Sequence, residues 1–284
     1  MAMDYFLHLR PRSWPVVAGH MTAGYLIALP LSEWTKNITS LLIGAITWAI
    51  MLNGGTLAFN SAFDKDTGDI GYLDSPPPVT NGLWLFGLLF MIAGGIIAFF
   101  VSSCFAIAYW ICFFMSIAYS CPPVRLKARA GGDIAICVMG YGVFTTYAGW
   151  ACVANSINFF IFFICLGYMF LFGCLYPLTQ IYQFHDDRNK GDTTFTVTLG
   201  VKRSIKFSLV CLICAFMIFG IVSFKVNTMF YIFIIPMSFW LMILVPWMIK
   251  GIHYPQKKGM YRALWAWTTT DITVALVFSA LERS

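Results

Sequence analysis

Residues 60–69 read NSAFDKDTGD and follow an apolar run ending NGGTLAF. Acidic side chains are too costly in hydrocarbon to sit beside such a run without a task. If a helix continues through this stretch, Asn60 and Asp64 lie one turn apart on one face. Asp69 needs a backbone irregularity to join them, and Gly68 favours one; if the helix stays regular, Asp66 lies nearer instead. A second stretch repeats the logic with Gln180, Gln183 and Asp187, spaced three and four apart, and Asp186 and Asp192 close by. Carboxylate and amide oxygens suit Mg2+, which is held by one or two carboxylates together with substrate phosphate and water. Two such clusters facing each other could hold Mg2+ and a diphosphate between them. Either loop alone also reads as capping and solvated Asp and Asn; the pairing of the two favours a metal site.

Cations accompany the acids. YSCPPVRLKARAGGD, residues 119–133, places Arg125, Lys127 and Arg129 at alternate positions, which reads as an extended stretch with its charges on one side. LRPRSWP adds Arg10 and Arg12. Arginine grips phosphate oxygens bidentately and lysine acts as a point charge. His185, beside Asp186 and Asp187, reads as a general base or as a plain loop histidine. His20 and Asp271 sit in or near apolar segments; an acid at that depth is functional by default, unless the threonines of WTTTDIT satisfy it as a packing contact.

The elements that carry these residues follow from composition. The chain has 284 residues, 60% hydrophobic and only 11% charged, with a mean hydropathy of +0.77. Soluble domains carry about twice that charge fraction. Apolar runs repeatedly reach the ~17–25 residues that cross a bilayer as helices, and short alternating segments of a β-barrel are missing from the pattern. The expected fold is all-α: a polytopic membrane protein of nine transmembrane helices around a central cavity, forming one domain over residues 1–284. The spans fall near 14–32, 38–58, 83–101, 103–119, 134–153, 157–179, 207–223, 228–247 and 264–281. The nine cysteines lie mostly inside apolar segments and read as small hydrophobes, including Cys211 and Cys214.

Long polar connections alternate with short, nearly neutral ones. Placing the N-terminus with the long connections puts 15 of the 18 Lys and Arg on one side, leaving only Lys36, Lys225 and Arg283 opposite. By the positive-inside rule that side is the cytoplasm. Both acidic clusters then share the cytoplasmic face, as two halves around one cavity. The net charge of +6 is a topology signal and shows no basic stripe for nucleic acid.

These residues resemble the UbiA superfamily of intramembrane prenyltransferases. NSAFDKDTGD is similar to that family's first motif, often NDxxDxxxD, and YQFHDDRNKGDTTFTVTLG to its second. Asn60, Asp64 and Asp187 match position for position, and Gln183 occupies the fourth place. Ser61 stands where Asp is usual, Gly68 where the third Asp is expected, and Ser75-Pro76 where Arg-Pro is common. The resemblance covers nearly the whole chain. It implies that Mg2+ on Asn60, Asp64, Asp69, Gln183 and Asp187 binds an isoprenyl diphosphate, that its C–O bond ionises, and that a hydrophobic or aromatic acceptor within the membrane attacks the allylic cation. Asp64, Asp187, Arg125 and Lys127 are the expected catalytic residues. Asn60, Gln183, Arg10, Arg12, Tyr119 and His185 are expected around the substrate. Aromatic rings from Tyr109, Trp110, Tyr119, Tyr141, Phe144, Tyr147, Tyr168 and Tyr176 are candidates to shield the cation. A related terpene cyclase would share the metal site. A secondary transporter fits less well, since its coupling groups belong at mid-membrane in broken helices.

Overall fold

A computed structural model describes residues 2–65, 68–226 and 228–279. Asp66 and Arg283 fall outside these residues. The chain is all-α, with two isolated bridges as the only extended pairing among the described residues. The principal helices are α1 (Trp14–Leu26), α2 (Ile38–Asp64), α3 (Leu83–Ala98), α4 (Ser103–Ser120), α5 (Gly132–Ala151), α6 (Phe159–Ile181), α7 (Val201–Val226), α8 (Ile234–Lys250) and α9 (Gln256–Ser279). Among the described residues, six helices are long and apolar enough to cross a membrane, and α3 is a shorter apolar one. Large apolar side chains such as Phe100, Phe114, Phe159 and Ile249 project outward from these helices, the arrangement of a surface solvated by lipid. The protein is therefore an integral, multi-pass membrane protein.

Two apolar clusters form the interior. One joins α1, α2, α3, α4 and part of α5; the other joins α6 to α9, reaching Ile27 and Trp150. Close helix crossings depend on glycine at two places. A Cβ on Gly87 of α3 would lie 2.8 Å from the Gly55 carbonyl of α2. Where α1 crosses α5, a Cβ on Gly24 or Gly149 would collide with the backbone of Thr146 or Met21. That second crossing brings His20 beside Thr146.

The helix ends depart from the sequence expectation where it matters for the site. α2 runs six residues beyond residue 58, because Asn60 and Asp64 are satisfied by neighbours instead of ending the helix. It stops at Asp64, where Lys65 turns left-handed (φ 51°) and donates its N–H to the Ser61 carbonyl. A π-helical turn at Ile46–Leu52 precedes this segment. The connection after α6 is structured, with short helices at Phe184–Asn189 and Phe195–Leu199.

Candidate active site

Asn53, Thr56, Asn60 and Asp64 succeed one another at helical spacing along one face of α2, and all four line a single cavity of about 680 Å3. Gln183 and Asp187 line the same cavity from the connection after α6. Asp187 sits in the first turn of the Phe184–Asn189 helix, its N–H donated to the Gln183 carbonyl at 2.9 Å. An acid there is stabilised by the free N–H groups of the turn.

The 120–133 connection lies between the two acidic clusters. Arg125 donates to both oxygens of Asp192, at 2.8 and 3.2 Å, and its Nη2 lies 3.8 Å from Asp64 Oδ1. Lys127 donates to Asn60 Oδ1 at 2.9 Å and contacts the Asp64 carboxylate. Asn60 in turn donates to Asp64 Oδ2 at 2.8 Å and accepts from Ser120 at 3.0 Å. The Lys127 side chain is only 8% exposed. Burial pushes its ammonium down to about 7, against the opposing pull of Asp192. Buried Lys127 and part-exposed Arg125 thus face the carboxylates where a polyanionic ligand would need them.

This connection is held by Asp133, which is fully buried. Its carboxylate accepts from the backbone N–H groups of Gly131 and Phe195 and from Gln180 Nε2. Thr193 adds a backbone bond to the Ala128 carbonyl. These bonds tie the two connections together.

Several expected residues sit elsewhere. Gln180 lines the cavity but spends its amide on Asp133, Tyr176 and the Thr196 N–H, so it holds the frame of the site. Leu126–Ala128 forms a 3-10 turn in place of an extended strand, and Arg129 turns to the Pro123 carbonyl. Arg10 is buried, lines the cavity, and donates to Ser61 Oγ and the Gly71 carbonyl. Arg12 is 73% exposed and pairs with Asp74 instead. His185 is exposed with its ring against Phe184, off the cavity wall, and among the described residues no hydrogen bond positions it as a base. Asp69 lies at the cavity rim, but its carboxylate accepts from the Ser75 N–H at 3.0 Å and from Lys257 at 2.8 Å. The backbone does break after Asp64, yet it sends Asp69 toward α9. Lys257 also holds Asp74, at 2.7 Å, and these contacts keep both carboxyls below the usual range.

Below the acidic mouth the cavity is apolar and aromatic. Tyr119 and Tyr176 meet at 3.4 Å between hydroxyls, and Tyr141 donates to Asn53 Oδ1. Tyr109 and Tyr168, also candidates, are packed in the two cores, away from the cavity wall. Trp48, Phe172 and Trp267 line the cavity and were not legible from sequence, since rings occur throughout the helices. Among the described residues no three His, Cys, Asp or Glu side chains converge as a metal cluster. The donor set is still apt for Mg2+: each pole offers one carboxylate and one amide oxygen, and this ion draws its remaining ligands from phosphate and water.

Comparison with known proteins agrees with this architecture. A UbiA homolog from Archaeoglobus fulgidus bound to GPP and Mg2+ superposes with a TM-score of 0.71 at 15% identity, covering 98% of this chain and 100% of the other. The same homolog bound to DMAPP and Mg2+ gives 0.68 at 16% identity, covering 96% and 99%. A structure of digeranylgeranylglyceryl phosphate synthase gives 0.66 at 14% identity, covering 98% and 97%. At such identities the likeness is one of fold. No curated protein matches the sequence. The model of the UbiA prenyltransferase family matches residues 14–268, nearly the whole chain, and the protein belongs to that family.

Proposed function

We propose that this protein transfers an isoprenyl group from an isoprenyl diphosphate to a lipophilic or aromatic acceptor inside the membrane, with Mg2+ as cofactor. The observation that carries the reading is one cavity whose mouth joins two acidic clusters to Lys127 and Arg125 and whose depth is aromatic. Family membership and the ligands bound to the Archaeoglobus fulgidus homolog support it.

Asn60 and Asp64 at one pole, with Gln183 and Asp187 at the other, are the metal-binding residues of this proposal. Mg2+ bound there would neutralise charge on the departing diphosphate. Arg125, Lys127 and Arg10 present N–H groups to the phosphate oxygens, and their charge counts for more because the site is shielded from water. The C1–O bond breaks with its electron pair leaving on the diphosphate; the acceptor's pair then bonds to C1 and the acceptor loses a proton. Tyr119, Tyr141 and Tyr176 exclude water from C1 and offer ring faces to the positive charge. Asp69, Asp74, Lys257 and Arg12 act as a strap that holds residues 68–75 across the mouth. In this reading the whole chain works as one domain of nine spans, with the N-terminus and the catalytic connections on the cytoplasmic side. The distribution of Lys and Arg supports that orientation.

Purified protein in lipid, given labelled C10 to C20 diphosphates and pooled acceptors, should release diphosphate and yield a prenylated product by mass. A hydrocarbon formed with no acceptor present would identify a cyclase. No release with any donor would refute the reading.

A further inference from the structure

Gln180 of α6 is buried, and both ends of its amide are engaged. Its Nε2 donates to Asp133 Oδ2 and to the Tyr176 hydroxyl, each at 2.9 Å, while its Oε1 accepts from the Thr196 N–H at 3.2 Å. A carboxylate on one side and a backbone N–H on the other fix which way the amide faces, since its nitrogen must meet the first and its oxygen the second. Tyr176 is thereby held from behind, and its hydroxyl meets that of Tyr119 at 3.4 Å. The Tyr176 ring is also stacked on Phe172, with centroids at 6.4 Å, and Phe172 on Tyr141 at 5.0 Å. Tyr119 is fixed from the opposite helix: Ser120, the next residue of α4, donates to Asn60 Oδ1 at 3.0 Å.

Tyr119, Tyr176 and Gln180 line the cavity, and Asp133 stands behind them. The two hydroxyls thus join α4 to α6 between the cavity and the polar connections that carry Asp133 and Thr196. A water passing between two hydroxyl oxygens needs about 5.6 Å, two contacts of ~2.8 Å; the observed separation of 3.4 Å is too narrow. The pair also sits where the chemistry happens. Tyr176 lies about 6 Å beneath Gln180 at ~1.5 Å per residue, close under Gln183 of the second pole, and Tyr119 adjoins the first pole through Ser120. An allylic cation released under the two poles forms beside this pair, and its hydrolysis is the side reaction a closed site must prevent. In that reaction the C1–O electron pair leaves on the diphosphate, a lone pair of water bonds to C1, and the water loses a proton to give a prenyl alcohol.

Resting on the prenyl-donor reading, we propose that Gln180 and Asp133 are positioning residues that hold Tyr176 against Tyr119 as a screen, keeping the ionised donor for the acceptor and away from water. Gln180 carries this role separately from the frame of the site. Without its amide, Asp133 still accepts from the N–H groups of Gly131 and Phe195, and Thr193 still binds the Ala128 carbonyl; only Tyr176 loses its support from behind.

The test uses full-length protein in lipid with Mg2+, labelled geranyl diphosphate and pooled acceptors, reading geraniol and prenylated product by mass. The ratio of geraniol to product should rise at least ~10-fold in Gln180→Leu. The donor concentration for half-maximal diphosphate release should stay within about threefold, because the diphosphate contacts are untouched. Tyr176→Phe keeps the ring and its stack, removes only the hydroxyl, and should raise the ratio likewise; it decides the matter if a thermal melt shows Gln180→Leu to be poorly folded. Thr193→Val, which loosens the connections without touching either tyrosine, should leave the ratio where it is. A merely structural role would lower both products together. Normal transfer with a ratio unmoved in both Gln180→Leu and Tyr176→Phe overturns this proposal and leaves prenyl transfer standing, whereas no diphosphate release from the unaltered protein with any donor overturns both.

Discussion

Replacing Asp64 by Asn removes one negative charge and almost no volume. Asp64 is 14% exposed on its side chain, contacts Lys127, lies 3.8 Å from Arg125 and accepts from Asn60 at 2.8 Å. At an effective dielectric of ~20, unit charges 4 Å apart interact by about 4 kcal/mol. The amide keeps an oxygen for the ion, so the loss in the transition state should be about 3 kcal/mol, within the range for removing one electrostatic contact. That corresponds to a fall in kcat of ~100-fold or more. The helix end should survive, because the Lys65 N–H still caps on the Ser61 carbonyl. Diphosphate release from protein in lipid is the assay, with a thermal melt as the check on folding. Asp187→Asn should behave alike. Asp74→Asn should stay within threefold, since Asp74 is 54% exposed and serves only the strap. Small and similar effects at all three positions would refute the reasoning, and would mean that the acidic loops only cap and solvate.

Excess chelator should abolish diphosphate release and added Mg2+ should restore it; full turnover in chelator would remove the metal from the mechanism. Arg125→Lys keeps the charge but loses the two-pronged grip on Asp192, so release should fall ~10-fold, and unchanged kinetics would show that the grip is unimportant. Asp69→Asn and Lys257→Gln should leave the Mg2+ concentration for half-maximal activity unaltered, because these side chains hold each other; a raised Mg2+ requirement in Asp69→Asn alone would make Asp69 a metal ligand. Asp69 and Asp74 lie below their ordinary pKa of 3.8 and Lys257 lies above its 10.5. The carboxylates thus contribute above about pH 4 and lose their contribution as pH falls further, while Lys257 loses its own only above 10.5. Trypsin cleavage after Lys65 should accordingly be flat from pH 7 to 9 and rise at 1 M salt, which screens exposed pairs; a steep change across that pH range would contradict the strap.

Asn60 and Asp64 were legible because one helical turn separates them, and the helix that continues through them is local structure. The long apolar runs were legible for a similar reason, since hydrocarbon forces each backbone segment to satisfy its own hydrogen bonds as a helix. Local sequence also showed that Arg125 and Lys127 share a loop, but their placement between the two acidic clusters is a tertiary matter. It depends on Asp133, which binds the N–H of Gly131 beside it and that of Phe195, 62 residues further along the chain. The fates of Asp69 and Gln180 were equally hidden: Lys257, 188 residues away, claims the first, and Asp133 the second. A carboxylate or amide takes whichever donor the fold brings near, and spacing along the chain does not specify that donor. The aromatic lining of the cavity lies furthest from sequence reading. Trp48, Phe172 and Trp267 come from three helices of an aromatic-rich chain, and only the packing of α1 against α5 and α9, with His20 bound between Thr146 and Asp271, decides which rings face the cavity.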